Sequence, residues 1–216
     1  MQKLLKHMKS KIFIALTFLS VLIATYSCFN GKEIGRCNFT EEQKQLIPYY
    51  KGQIISFIYN TEKNIDLTVT GNILDWVNGR PEGSQHDYIK QKRKFVTLRS
   101  DQNNLEITLI LYAGNCLSDF DYHSWFSISI NNGEVGNYIL ELNSAGSFLS
   151  NNYTFFHNSL KINDINYYNV VENKYNKEIF DGKGGRYEVL MQLFYNKTYG
   201  ILQVNRDGNN FLTINH

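Results

Sequence analysis

The sequence predicts an all-β fold, an antiparallel sandwich or strongly curved half-barrel with one short N-terminal helix. Three observations lead there. From Gly52 onward the chain is a succession of short stretches rich in Ile, Val, Tyr, Phe and Thr, broken about every ten residues by Asn and Gly. Within those stretches apolar and polar residues alternate with period two, which puts one face in a core and one in water. Nowhere does a 3.6-residue period last long enough for a crossover helix, so a sheet built on parallel crossovers is excluded.

The N-terminus comes first. Lys3, Lys6, Lys9 and Lys11 precede an unbroken apolar or hydroxyl run from Ile12 to Ala24, and Thr25, Tyr26 and Ser27 lead into Cys28. That is the charged, apolar and cleavage order of a secretory signal. The run, about 13 residues, spans about 20 Å at 1.5 Å per residue, short of the roughly 30 Å of a bilayer core, so no permanent transmembrane helix is expected. Residues 1–27 therefore read as a removable signal, 28–39 as a lipid-anchored tether and 40–216 as a single domain.

A cysteine directly after a small residue at the end of such a segment resembles the lipobox of bacterial lipoproteins, in which the signal is cut before the cysteine and the thiol is diacylated, as with palmitate. Ser27 and Cys28 fit that pattern, whereas Thr25 and Tyr26 stand where it prefers Leu and a small residue. The resemblance implies a membrane partner through the N-terminal lipid, and a place in the cell envelope at the outer membrane or on the periplasmic side. Thr25 and Ser27 also suit plain secretion with cleavage at the same bond.

Parity supports the lipid, because the chain has 3 cysteines, Cys28, Cys37 and Cys116. With Cys28 acylated, Cys37 and Cys116 remain as a possible disulfide, which on the chain-entropy estimate would contribute about 4 kcal/mol. Two buried free thiols are the alternative.

Composition bounds the rest. Apolar residues are 43%, charged residues 19%, and there are 15 Tyr and 14 Phe, which excludes disorder, collagen and coiled coil. The net charge of +2 misleads, because four of the 22 basic residues lie in the signal, where there is no Asp or Glu; the mature chain carries 18 against 20. A near-neutral chain without a basic stripe gives no electrostatic reason to expect nucleic acid as partner.

After the tether, Thr40 followed by Gln43 is a capping box that opens a short helix over EEQKQLI before Pro48 stops it. Eleven strands follow, at 52–59, 63–70, 94–99, 104–112, 124–130, 137–142, 153–162, 165–171, 187–195, 199–205 and 210–215. Leu105, Ile107, Leu109 and Leu111 share one face of their strand; Phe126, Ile128 and Ile130 share one face of theirs. Asn132-Gly133 and Asp207-Gly208 are hairpin turns, since these residues tolerate positive φ. So many strands in one flat sheet would curl or split, hence sandwich or half-barrel. Residues 78–87 and 172–186 read as the longest loops.

The segments Leu46 to Val69, Tyr167 to Val171, Leu193 to Val204, Asp207-Gly208 and Phe211 to Ile214 resemble a group of uncharacterised Bacteroidota lipoproteins, which begin with a Pro-Tyr and Lys-Gly entry and end in a Gly-Ile strand, a Gly turn and a last short strand. The resemblance covers the two ends, about a third of the chain. It implies an envelope lipoprotein with an all-β domain, and assigns no catalytic residue.

Chemistry-bearing motifs are sparse. Asp119, Asp121 and His123 at spacing two would line one face of an extended segment and form a weak candidate divalent-cation site, against which stands a solvated turn. His86-Asp87 lies in a polar loop; His157 is read as a strand-end residue. No GxSxG, HExxH or Walker loop occurs, and Gly182 to Arg186 leads into a strand rather than a helix that could hold phosphate. The Asn-x-Ser/Thr triplets at Asn38, Asn152 and Asn196 number about what composition yields by chance. Adjacent aromatics such as Tyr167-Tyr168 and Phe194-Tyr195 point to opposite faces, leaving a platform for an envelope protein, glycan or lipid partner. The expectation is a cell-envelope lipoprotein acting as a non-catalytic ligand-binding or structural β-domain, with no cofactor. The alternative is an envelope hydrolase with a site near Asp119, Asp121 and His123, or His86.

Overall fold

The computed structural model describes residues 31–80, 87–101, 104–114, 124–131, 136–143, 147–180 and 186–215. Twelve strands form one sheet that is not closed into a barrel. They are β1 (Glu33–Cys37), β2 (Ile54–Tyr59), β3 (Lys63–Gly79), β4 (Tyr88–Ser100), β5 (Leu105–Tyr112), β6 (Ser124–Asn131), β7 (Gly136–Leu142), β8 (Thr154–Ile162), β9 (Ile165–Phe180), β10 (Arg186–Asn196), β11 (Gly200–Arg206) and β12 (Asn209–Ile214), with helix α1 at Glu41–Lys44 after β1. Their order is β7-β6-β5-β4-β3-β2-β12-β11-β10-β9-β8, all neighbours antiparallel, with β1 lying parallel beside β4. The eleven strands expected from the sequence are β2 to β12. The twelfth, β1, lies within 28–39, read from the sequence as tether.

The sheet curls because one face is continuously apolar. Leu105, Ile107, Leu109, Leu111, Phe126, Ile128, Tyr138 and Leu140 are buried, and across the interior they meet β9, β10 and β11. The Phe126 and Tyr195 rings stand 5.1 Å apart edge to face, as do Tyr138 and Tyr175 at 5.4 Å. At the seam, Asn173 Nδ2 donates to the Ile139 carbonyl at 3.3 Å, joining β9 to β7. The result is the half-barrel rather than two separate sheets.

Both hairpins read as ending in long loops are longer than expected. Strand β3 runs to Gly79 and β9 to Phe180, so the loop expected over 78–87 loses only its first two residues to strand, whereas most of 172–186 is strand; 81–86 and 181–185 fall outside the described residues. The β3 extension lacks clean alternation because residues 72–78 are mostly exposed and held by ladder hydrogen bonds, and the β9 extension because the residues it buries, Glu172 and Asn173, are polar. A register shift between Val69 and Gly71 resets which β3 residues face inward. Before it, Ile65, Leu67 and Val69 point to the core. After it, Asn72 lies opposite Val96, Leu74 opposite Lys94 and Trp76 opposite Lys92, so the even positions take over that face.

The N-terminal segment fills the end of the half-barrel. The capping box forms: Thr40 Oγ1 accepts from the Gln43 N–H at 3.1 Å and Gln43 Oε1 from the Thr40 N–H at 2.9 Å. Helix α1 stops at Lys44, shorter than expected, because the next residues are drawn into the core. Leu46, Ile47 and Tyr49 are buried, and the backbone they carry inward is satisfied by side chains of the sheet. Tyr195 Oη donates to the Leu46 carbonyl, Lys94 Nζ to the Ile47 carbonyl at 2.8 Å and Asn72 Nδ2 to the Tyr49 carbonyl at 3.2 Å. Tyr49 Oη accepts from the Ile201 N–H at 2.7 Å, against Gly200, whose φ is +82°. Of the turns, Asp207 and Gly208 have φ of 50° and 76° as expected; Asn132-Gly133 lies outside the described residues.

Candidate functional site: a cationic cleft beside the N-terminal segment

Most residues singled out from the sequence, Cys28, His86, Cys116, Asp119, Asp121 and His123, lie outside the described residues. Cys37 ends β1, is buried against Ile89 and Ala113, and is disulfide-bonded. Its partner is not among the described residues. His157 is not a strand-end residue: it stands inside β8, where Nε2 meets Glu172 Oε2 at 2.7 Å, and Gln192 Nε2 donates to Glu172 Oε1 at 3.1 Å. That cluster sits on the face of β8 to β10 opposite Tyr195, and it is a satisfied polar network. Among the described residues no three His, Cys, Asp or Glu side chains come together to hold a metal ion.

What the fold does bring together is a set of cations. Lys90, Lys92 and Lys94 alternate along β4 and point to the same side as the core residues Val96 and Leu98, beyond the end of that core. Opposite stands the N-terminal segment with Asn38, Phe39 and Lys44. Between that segment and Lys92 and Lys94 lies a cleft of about 360 Å³, lined also by Asn72 and Leu74 and with Lys90 outside its lining, within the roughly 300–1,000 Å³ of small-molecule sites.

Ion pairing divides these cations into two groups. Glu33 binds both Arg36 and, at 3.2 Å, Lys90, and the Arg36 guanidinium holds the Glu33 carboxyl below its ordinary range. Lys44 is paired with Glu41. Lys92 and Lys94 have no carboxylate partner among the described residues. Lys92 Nζ lies over the Trp76 ring at 4.7 Å from its centroid, with Arg36 Cζ at 6.0 Å. Lys94 is half-buried, and burial lowers its pKa below the ordinary 10.5. Arg93, between Lys92 and Lys94 on β4, points to the opposite face and is held by Asp75 through two bonds of 3.0 and 2.6 Å. The cleft thus places two ammonium groups without a carboxylate ion pair beside apolar surface, Lys92 being within electrostatic reach of Asp75.

Sequence reasoning missed this stripe for two reasons. The strand was started at residue 94, so Lys90 and Lys92 fell in unassigned chain, and the balance of charges over the whole chain hid a local excess. The signal was present in YIKQKRKF, where lysines recur with period two. A second cleft of about 350 Å³, with Pro48, Gln53, Ile54, Thr198 and Tyr199 among its lining, contains no lysine, arginine or carboxylate.

Compared with known protein families, curated proteins and solved structures, the chain matches none.

Proposed function

We propose that this chain is an exported, lipid-anchored binding module of a cell envelope, which holds an anionic ligand in the cleft between its N-terminal segment and the β3–β4 hairpin. The signal-like residues 1–27 and Cys28 support the anchor, and among the described residues no helix is long and apolar enough to cross a membrane. One observation carries the binding reading: Lys92 and Lys94 face a cleft without carboxylates to match them. Half-burying an ammonium costs desolvation energy, and the Ile47 carbonyl offsets part of it with a neutral acceptor. An anion in the cleft supplies the missing charge.

Growing cells with labelled palmitate tests the anchor. The wild-type chain takes up label and fractionates with membranes, while Cys28→Ser does neither; an unlabelled wild-type chain in the soluble fraction removes the anchor. Native mass spectrometry of the chain extracted from membranes tests the ligand. A co-purifying acidic compound lost in Lys92→Gln supports it, and an unliganded protein that ignores added anions counts against it.

A further inference from the structure

We propose that the cleft takes an amphiphile with a single acidic head group, a phosphate or a carboxylate, its head on Lys92 and Lys94 and its apolar body along Leu74 and Phe39, with Trp76 beside the cleft under Lys92. This rests on the binding-module reading and narrows it to a chemical class.

The register shows why. Across the β3–β4 ladder, Leu74 faces Lys94 and Trp76 faces Lys92. Each rung sets an apolar side chain beside a cation, so two rungs make an apolar column on β3 next to a cationic column on β4. Leu74 is 57% exposed and Trp76 39%, apolar area left in water against the charges. The two lysines are about 7 Å apart along the strand, and their flexible stems converge on one anion. A linear polyanion fits less well, since Lys90 and Arg36, which would continue the row, already share the Glu33 carboxylate, which offsets one of their two charges. A neutral lipid leaves both ammonium groups unmatched. Glu33 follows Cys28 by five residues, a reach of at most about 18 Å, so an acylated Cys28 keeps the cleft near the membrane surface where amphiphiles reside.

The test is a titration of the purified full chain with octyl phosphate below its micelle concentration, read by calorimetry and Trp fluorescence, beside butyl phosphate, inorganic phosphate, octanol and vesicles of phosphatidylcholine and phosphatidylglycerol at 3:1. Octyl phosphate is expected to bind more tightly than butyl phosphate by about fourfold per additional covered methylene. Lys92→Gln weakens it about tenfold or more, while Lys90→Gln, already paired, changes it less than about threefold. Unchanged thermal midpoints show that both variants fold. Inorganic phosphate binding as tightly as octyl phosphate overturns the amphiphile but leaves an anion-binding module standing. Equal affinity in Lys92→Gln overturns the site, and binding to vesicles without binding to monomeric octyl phosphate overturns the cleft in favour of a charged surface. If octyl phosphate binds as described and palmitate labelling fails, the inference holds and only the anchor falls.

Discussion

Gly200→Ala probes the joint between the N-terminal segment and the half-barrel. Gly200 has φ of +82°, and a Cβ built there overlaps the Tyr49 ring, whose hydroxyl accepts from the Ile201 N–H. The left-handed conformation costs a non-glycine residue about 1–2 kcal/mol. Steric overlap in a packed site adds about 1–3 kcal/mol. If the ring swings aside instead, a buried N–H loses its acceptor, at about 1–3 kcal/mol. The expected loss is therefore about 2–5 kcal/mol, a large part of the roughly 5–15 kcal/mol that holds a domain folded. Gly208→Ala is the control, because its φ is +76° but nothing lies within 4 Å of an added Cβ, so only the backbone cost of about 1–2 kcal/mol remains. Urea unfolding followed by Trp fluorescence measures both. In a Tyr49→Leu background, which keeps the site filled but removes the ring, Gly200→Ala should cost no more than Gly208→Ala. Equal cost of Gly200→Ala in both backgrounds would refute the claim that Tyr49 locks the segment onto β11.

Three further outcomes follow from the same geometry. Cys37 packs on Ala113, three residues or about 10 Å of chain from Cys116, so non-reducing peptide mapping should link Cys37 to Cys116; a Cys37–Cys28 link would contradict this and eliminate acylation at the same sulfur. Because burial lowers the Lys94 pKa, the unfolded chain binds more protons at that site between the folded value and 10.5, so stability rises with pH in that window. Lys94→Met should reduce this rise, and an unchanged slope would count against it; above pH 10 the buried Tyr49, Tyr138 and Tyr195, whose pKa values burial raises, reverse the trend in both proteins. Tyr138 Oη is buried without a hydrogen-bond partner among the described residues, so Tyr138→Phe should leave stability unchanged or raise it by up to about 2 kcal/mol in urea unfolding, and a loss above about 1 kcal/mol would show a hidden partner.

The legible part of the fold is the part that burial enforces. Leu105, Ile107, Leu109 and Leu111 are all buried on one face, as their alternation demands, and Thr40 with Gln43 forms the capping box the spacing announces. Where burial stops, so does legibility. Residues Asn72 to Gly79 are strand because a neighbouring strand supplies ladder bonds, a tertiary cause with no periodic trace, and at the start of the β9 extension the buried residues are the polar Glu172 and Asn173, which apolar alternation does not flag. Strand β1 depends likewise on a parallel bond to β4 that no local pattern encodes. The cleft required three facts together: the strandedness of residues 88–93, the register shift after Val69, and the inward course of Leu46 to Tyr49. Only the lysine spacing was visible in the sequence. Glu33, which separates the paired cations from the free ones, sits in chain taken for tether.

The most direct measurement is nuclear magnetic resonance of the lysine ammonium groups during titration with octyl phosphate. The Lys92 and Lys94 signals are expected to move together and saturate at one equivalent, with Lys44 and Lys90 little changed. Shifts spread evenly over all the lysines, or none at Lys92 and Lys94, would contradict this.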